Sequence, residues 1–365
     1  MHMADALLSP QVAGTMYGLS AIAAATAIGK LNKEELVLQE GFSKRLPQMA
    51  VMSAFVFAGQ MVNFTIPGTG SSGHICGGML LSAILGPFAG FISMIVILAL
   101  QCLMFADGGL MALGANIWNM AFYGCFVGYF LIYRPIMKSK LNFGKEDKTA
   151  SRIKIMLASI LGSVITLQLG AFSVCIETLL SKITNLPFGA FVGLMQPIHL
   201  AIGLVEGIIT GLVLIFVYEN RPSLVREVDA DKTEKSEKSL ASVIIVLAVV
   251  VAVIGGGISL LASSNPDGLE WSLFGNEEAG FSANMGLDEE DYGNTGVVFD
   301  NMADIVDSTA LLPDYSFKNN EDNPLGTSFS GVVGSALVAA LVAVICLLGG
   351  LVRKKALTNK GNNRN

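Results

Sequence analysis

Eight apolar runs, at residues 11–29, 46–66, 75–105, 111–133, 155–181, 188–219, 240–262 and 330–352, limit what this chain can fold into. Most exceed the 18 or so residues needed to cross a bilayer as a helix. Charged residues make up 14% of the chain, against about 25% in soluble domains. Lipid offers backbone groups no hydrogen bonds, so such runs are satisfied only as helices. The fold class is therefore all-α: a polytopic membrane helix bundle. The start, MHMADALLSP, has no basic region, carries Asp5 and is interrupted by Pro10. It does not read as a cleavable signal peptide, and Met1 is expected to be retained ahead of the bulky His2. The five cysteines (76, 102, 125, 175 and 346) all lie in or beside apolar runs, which suits small packing residues and not a disulfide framework.

Basic residues set the sides of the membrane. Residues 30–45 hold four Lys and Arg, 134–154 seven, 220–239 five and 353–365 five, which is 21 of the 23 in the chain. These four stretches are expected on the cytoplasmic side of the cell membrane. The chain must then cross an even number of times between 30–45 and 134–154. Counting 75–105 as one span breaks that parity, and 31 residues at about 1.5 Å each overshoot a core of about 30 Å. Gly86-Pro87 inside the run is a natural break. Two helices, 75–85 and 87–105, joined by a tight cytoplasmic turn, restore the count. Residues 67–74 become a loop dipping into the bundle from outside, with His74 at the start of a half-helix.

The expected result is nine helices with the N-terminus outside and the C-terminus cytoplasmic. Residues 1–220 form a seven-helix metal-capture unit, 221–239 a charged cytoplasmic linker, and 240–355 a two-helix unit around an outer loop, 263–329. Residues 356–365 form a cytoplasmic tail. The outer loop holds 14 acidic residues and one lysine. Its apolar residues keep no period, so no core is expected there. A negative surface of this kind raises the local concentration of cations.

Two stretches carry metal chemistry: Met1-His2-Met3, and Pro67-Gly-Thr-Gly-Ser-Ser-Gly-His74. A free α-amine, the amide nitrogen of residue two and Nδ1 of a residue-two imidazole close fused five- and six-membered rings on one ion. His74 can fill the remaining in-plane position. Planar nitrogen coordination suits Ni(II) or Cu(II) and can hold Co(II), but is poor for Mg²⁺ or Ca²⁺. Binding releases protons, so affinity rises with pH. The metal residues are therefore Met1, His2 and His74.

The chain resembles the CbiM/NikM family, the cobalt- and nickel-specific S components of energy-coupling-factor ABC transporters. The resemblance rests on Met1-His2 with Asp5 and Leu8-Ser9-Pro10, on Gly73-His74 with Gly77-Gly78, and on Leu85-Gly86-Pro87. Asp107-Gly108-Gly109-Leu110 and Leu113-Gly114-Ala115-Asn116 extend it to about residues 1–220. The second half resembles the small two-helix CbiN/NikN partner through Ser264-Asn265-Pro266-Asp267-Gly268-Leu269-Glu270-Trp271-Ser272. The family implies an N-terminus tucked into the bundle, with metal held by the amine and amide nitrogens, His2 and His74. It also implies a transmembrane coupling subunit and two ATPase subunits. Co²⁺ or Ni²⁺ would be the transported substrate, with no resident cofactor, no catalytic residues and no nucleic-acid partner. The chain has no GxxxxGK[ST], so ATP hydrolysis falls to those partners.

Other intramembrane polar residues are weighed on the same terms. His199 and Glu206 share a helix face and read as a hydrogen-bonded pair or as functional groups. Glu206 could also meet a partner subunit. Glu177 is placed near the outer end of its helix, reaching water. Asn116 and Asn119 share a face and either orient His2 or His74 or join helices. Ala21, Ala25 and Gly29 permit close packing, within the bundle in the safer reading or against the coupling subunit. A metal-responsive receptor signalling through the linker is the rival function. An intramembrane metalloenzyme is the weaker one, since no HExxH occurs.

Overall fold

The computed structural model describes residues 2–38, 42–144, 147–184, 186–228, 238–282, 285, 296–320 and 323–362. Met1 lies outside the described residues, as do Asp288, Glu289, Glu290 and Asp291 of the acidic loop.

The chain is a helix bundle. Helix α1 (Pro10–Leu38) follows a short turn at Asp5–Leu7 and leads to α2 (Phe42–Gln60). Next comes a small antiparallel hairpin, β1 (Phe64–Ile66) with β2 (Ser71–Gly73). Helices α3 (Gly78–Leu85) and α4 (Pro87–Phe105) follow, then α5 (Leu113–Lys138), α6 (Asp147–Ser181) and α7 (Phe188–Asn220). The second unit is α8 (Leu240–Gly256), a covering layer, and α11 (Leu325–Asn362). Among the described residues, seven helices are long and apolar enough to span a membrane. Helix α2 and the eight-residue α3 lie where the other two crossings were expected, but are not among those seven.

The break at Gly86-Pro87 falls where parity requires it. Gly86 sits at φ 90°, ψ 159°, and Pro87 opens α4, where its missing N–H costs nothing. The carbonyls freed at the end of α3 find donors in the linker: the Arg226 amide donates to Ala83 O at 2.9 Å and its guanidinium to Leu85 O at 3.0 Å. The front of the expected linker therefore packs on the bundle. Glu227 accepts from Tyr129 and pairs with Arg134 and Lys138.

Several expectations are corrected. Residues 67–73 are the turn and second strand of a hairpin instead of an irregular loop, with Ser71 and Ser72 buried. His74 precedes α3 by four residues instead of starting it. Gly77, at φ 81°, holds the left-handed conformation that postpones the helix, and a Cβ there would lie 2.4 Å from Val56 Cγ1.

The outer loop also builds structure. It contains α9 (Gly268–Phe274), a hairpin of β3 (Gly275–Asn276) with β4 (Phe281–Ser282), and α10 (Val297–Thr309). Asp267 caps α9 by accepting from the Leu269 and Glu270 amides, and Glu270 answers with a reciprocal bond. Leu269, Leu273, Met285, Ala310 and Leu312 are buried. Helix α9 and the β3–β4 hairpin are too short to show a period, whereas α10 does carry one, with Phe299, Met302 and Val306 at helical spacing.

The expected tail is helical to Asn362, continuing α11. Finally, Ala21, Ala25 and Gly29 are exposed. The buried stripe of α1 runs through Ala13, Met16, Ser20, Ala23 and Ala27, so the small-residue stripe faces outward and the within-bundle reading fails.

Candidate metal centre

The chain start is threaded into the bundle by main-chain and carboxylate contacts. The Met3 amide donates to Asn116 Oδ1 at 2.7 Å, and Asn116 Nδ2 returns a bond to Met3 O at 3.2 Å. The Gly109 amide donates to Met3 O at 3.0 Å, and the Ala112 amide to Asp5 Oδ1 at 2.8 Å. Gly109 permits this approach, since a Cβ there would stand 1.7 Å from Asp5 Oδ1. Asn116, read from the sequence as orienting an imidazole or joining helices, bonds the main chain of residue three, next to His2. Asn119 instead donates to Glu177 Oε2 at 2.8 Å. Glu177 is buried, which corrects its expected reach into water.

Across the chain start stands the hairpin that presents His74. Its anchor is Glu206 of α7, whose carboxylate accepts from the Cys76 amide at 2.7 Å and the Gly77 amide at 3.0 Å. These two donors precede α3 and have no intrahelical partners. Glu206 and His199 are therefore not a pair. His199 Nδ1 bonds Met195 O at 2.8 Å, and both side chains are buried.

The two imidazoles meet. His2 and His74 stack with centroids 5.3 Å apart and planes inclined by 27°. His74 Nδ1 donates to Ile75 O at 3.0 Å, which leaves its Nε2 lone pair for a ligand. The His2 side chain is 6% exposed, and Asp107 Oδ1 approaches its Nδ1 to 3.2 Å as a charge contact. Burial pushes the His74 ring down to about 4. Burial also lowers His2, against the raising influence of Asp107. Among the described residues, no three His, Cys, Asp or Glu side chains gather as a metal cluster.

The sequence reading missed three contributors. Gln60 and Gln101 are polar residues inside apolar runs, the signal that marks intramembrane function. They bond each other at 3.0 Å, and Gln101 reaches His2 Nε2 at 3.3 Å. Tyr315 comes from the second unit: it donates to Asp107 Oδ2 at 2.5 Å and stacks on Phe105 at 4.7 Å. No local pattern in the outer loop identifies it. The same unit is sewn to the hairpin, because the Ser72 amide donates to Pro266 O at 2.8 Å and Ser72 Oγ to Asn265 O at 2.8 Å. A cavity of about 640 Å³ lies over the imidazoles. Asp5, Asp107, Asp267, Glu270, Asp307 and Asp314 line it, without Lys or Arg.

A multi-pass helix bundle, a buried imidazole pair and an acid-lined chamber above it define a membrane protein built to receive a cation. The chain belongs to the CbiM family, the cobalt uptake substrate-specific transmembrane region, whose profile matches residues 2–224. The PDGLE domain matches residues 241–351, so two family units are fused in one chain. It is 33% identical to a putative fused nickel transport protein NikMN of Archaeoglobus fulgidus, over 93% of this chain and 96% of that protein. It is 26% identical to the fused nickel transport protein NikMN of Rhodobacter capsulatus, over 97% and 99% of the two chains. A crystal structure of a truncated transition metal transporter is 34% identical, with TM-score 0.50, and covers 60% of this chain and 99% of its own.

Proposed function

We propose that this protein is the substrate-capture subunit of an energy-coupling-factor importer for Ni²⁺ or Co²⁺ in the cell membrane. In this reading the α-amine of Met1, the main-chain and Nδ1 nitrogens of His2 and Nε2 of His74 hold the ion. The observation that carries it is the stacked His2–His74 pair, fixed by separate anchors on Asn116 and Glu206. Two imidazoles without a third side-chain ligand suit a site completed by backbone nitrogen, and such a set favours late first-row divalent ions. The acid-lined chamber concentrates cations at the mouth. The N-terminus and hairpin lie outside, and the basic loops face the cytoplasm. Residues 1–220 capture metal, 221–239 link, and 240–355 cover the site. The outward stripe of Ala21, Ala25 and Gly29 offers a close-packing face to a transmembrane coupling subunit. Two ATPase subunits drive release inward.

Whole-cell uptake of labelled nickel and cobalt, with and without the coupling and ATPase subunits, tests this function. Accumulation that requires all subunits supports it. Binding without accumulation in the complete complex would instead indicate a receptor.

Proton competition gives a second expected result. Burial pushes His74 down to about 4, so that ring is neutral from pH 6 to 8, and burial also lowers His2, which gives up its proton more readily than a free imidazole. The α-amine, ordinarily near 7.7–8.0, must lose a proton to bind, and the residue-two amide must lose one as well. Nickel affinity should rise with pH across that window, by about a hundredfold per pH unit below the amine pKa, where two protons are displaced, and by about tenfold per unit above it. Calorimetric titration in several buffers checks both the slope and the proton release.

A further inference from the structure

We infer that a small cavity behind His74, walled by the buried imidazole of His199, is a second and looser station for the divalent transition-metal ion, occupied after the ion leaves the chain start. The inference deepens the proposed site and rests on that reading for the identity of the ion.

His199 is unusual for a packing residue. It lies on α7 and is 1% exposed. Its Nδ1 donates to Met195 O at 2.8 Å, one turn back on the same helix. A carbonyl only accepts, so in a neutral ring the proton is on Nδ1 and the lone pair is on Nε2. Nε2 has no hydrogen-bond partner among the described residues. An acceptor stranded in a buried position is costly, a cost that Leu or Phe at this position would not carry. Other polar side chains along this helix find protein partners. Glu206 accepts two amides, and Gln196 donates to the Gln168 carbonyl at 3.2 Å.

The cavity beside His199 measures about 10 Å³, and His74, Cys76, His199 and Asp267 line it together with the apolar Leu167 and Ile202. A space of that size takes about one water-sized body. It excludes a hydrated ion and admits a bare divalent one. Imidazole, thiol and carboxylate are the side chains that ligate late first-row ions, and all three types stand in this wall. His74 and Asp267 also line the outer chamber, so the two spaces meet at these side chains. An ion leaving the first site beside His74 therefore has His199 as its next imidazole. The donors do not gather into a closed cluster, which suits a waypoint, because a transported ion must leave as well as enter. The second unit completes the wall. Asp267 is fixed as the cap of α9, and Gly268 lets that helix approach α7: a Cβ there would stand 2.7 Å from Ile198 Cγ2 and 3.1 Å from His199 Cε1. The Asp267-Gly268 pair thus closes the cavity over His199.

The test titrates the full chain in nanodiscs with nickel chloride. His2→Ala removes the first station, and the variant should still bind one nickel ion weakly at the second. Adding His199→Phe, which keeps a ring and removes the lone pair, should weaken that residual binding by about 10–100-fold, a scale seen even for groups one step removed from a metal. In the complete complex with the coupling and ATPase subunits, His199→Phe alone should slow nickel uptake by about tenfold while the purified chain keeps its tight affinity, a split that a packing role does not produce. His199→Gln offers an oxygen that suits a water but is a poor ligand for nickel. It should behave like His199→Phe, and it carries the test if the Phe variant does not fold. Residual binding that is absent from His2→Ala, or that both His199 variants leave untouched, overturns the station. So does wild-type uptake in His199→Gln, which would mean that the cavity holds a water only. A wild type without tight nickel binding would sink the proposed site, while the titrations in the His2→Ala background would still judge the second station.

Discussion

Replacing His2 by Ala is expected to weaken nickel binding by about three orders of magnitude, about 4 kcal/mol, with helix content and thermal unfolding unchanged. The imidazole closes the larger ring of the proposed chelate, so its removal dissolves that ring as well as one bond. The chain start remains docked, because Met3 and Asp5 keep their bonds to Asn116, Gly109 and Ala112. A single residue added before Met1 should do comparable damage by converting the amine to an amide. His74→Ala removes one ligand without opening a ring and should cost less. Calorimetry of the purified variants measures all three, and wild-type affinity in His2→Ala would discard the assignment of the site.

The second large effect is expected at Glu206. Its carboxylate receives both the Cys76 and Gly77 amides, and its side chain is 1% exposed. Truncation to Ala strands two buried N–H groups, at about 1–3 kcal/mol each, and empties the space between α7 and the start of α3. Thermal unfolding in detergent should show a loss of about 2–6 kcal/mol. Nickel binding should fall as well, because the segment carrying His74 loses its tether. Glu206→Gln retains one acceptor oxygen and should lie between wild type and Ala. If Glu206→Ala unfolded like wild type yet lost metal, the residue would have a direct role in the ion's path instead of an anchoring one.

Much of this was legible in order along the chain. Run lengths located the seven helices long and apolar enough to span a membrane, and parity located the break at Gly86-Pro87, because a bilayer of fixed thickness leaves few solutions. Cysteine burial followed from position, and all five are buried thiols outside any disulfide. The imidazole pair was legible because both members sit in unusual local contexts: one at a chain start, the other after a run of glycines. The hairpin at 64–73 was missed because two three-residue strands carry no measurable alternation. The fold of the outer loop was missed for a related reason. Leu269, Leu273 and Leu312 are isolated apolar residues whose partners lie in another part of the chain.

The small-residue stripe on α1 shows the limit from the other side. Ala21, Ala25 and Gly29 state that a helix can be approached closely, but not from which direction. Only the neighbours of α1 decide that, and they lie on the stripe of Ala13, Met16, Ser20, Ala23 and Ala27.

The sequence by itself determined that the chain crosses a membrane, where it crosses, and which two imidazoles were candidates to act together, since hydropathy, charge and chelate spacing are local properties. The tertiary structure alone decided that Gln60, Gln101 and Tyr315 surround His2, that Glu206 serves the backbone and not His199, and that the acidic loop roofs the site. Those contacts join residues separated by 41 to 214 positions or more along the chain. A hydrogen bond or a stacked ring acts over a few ångströms in space, so its partners appear only once the helices are packed.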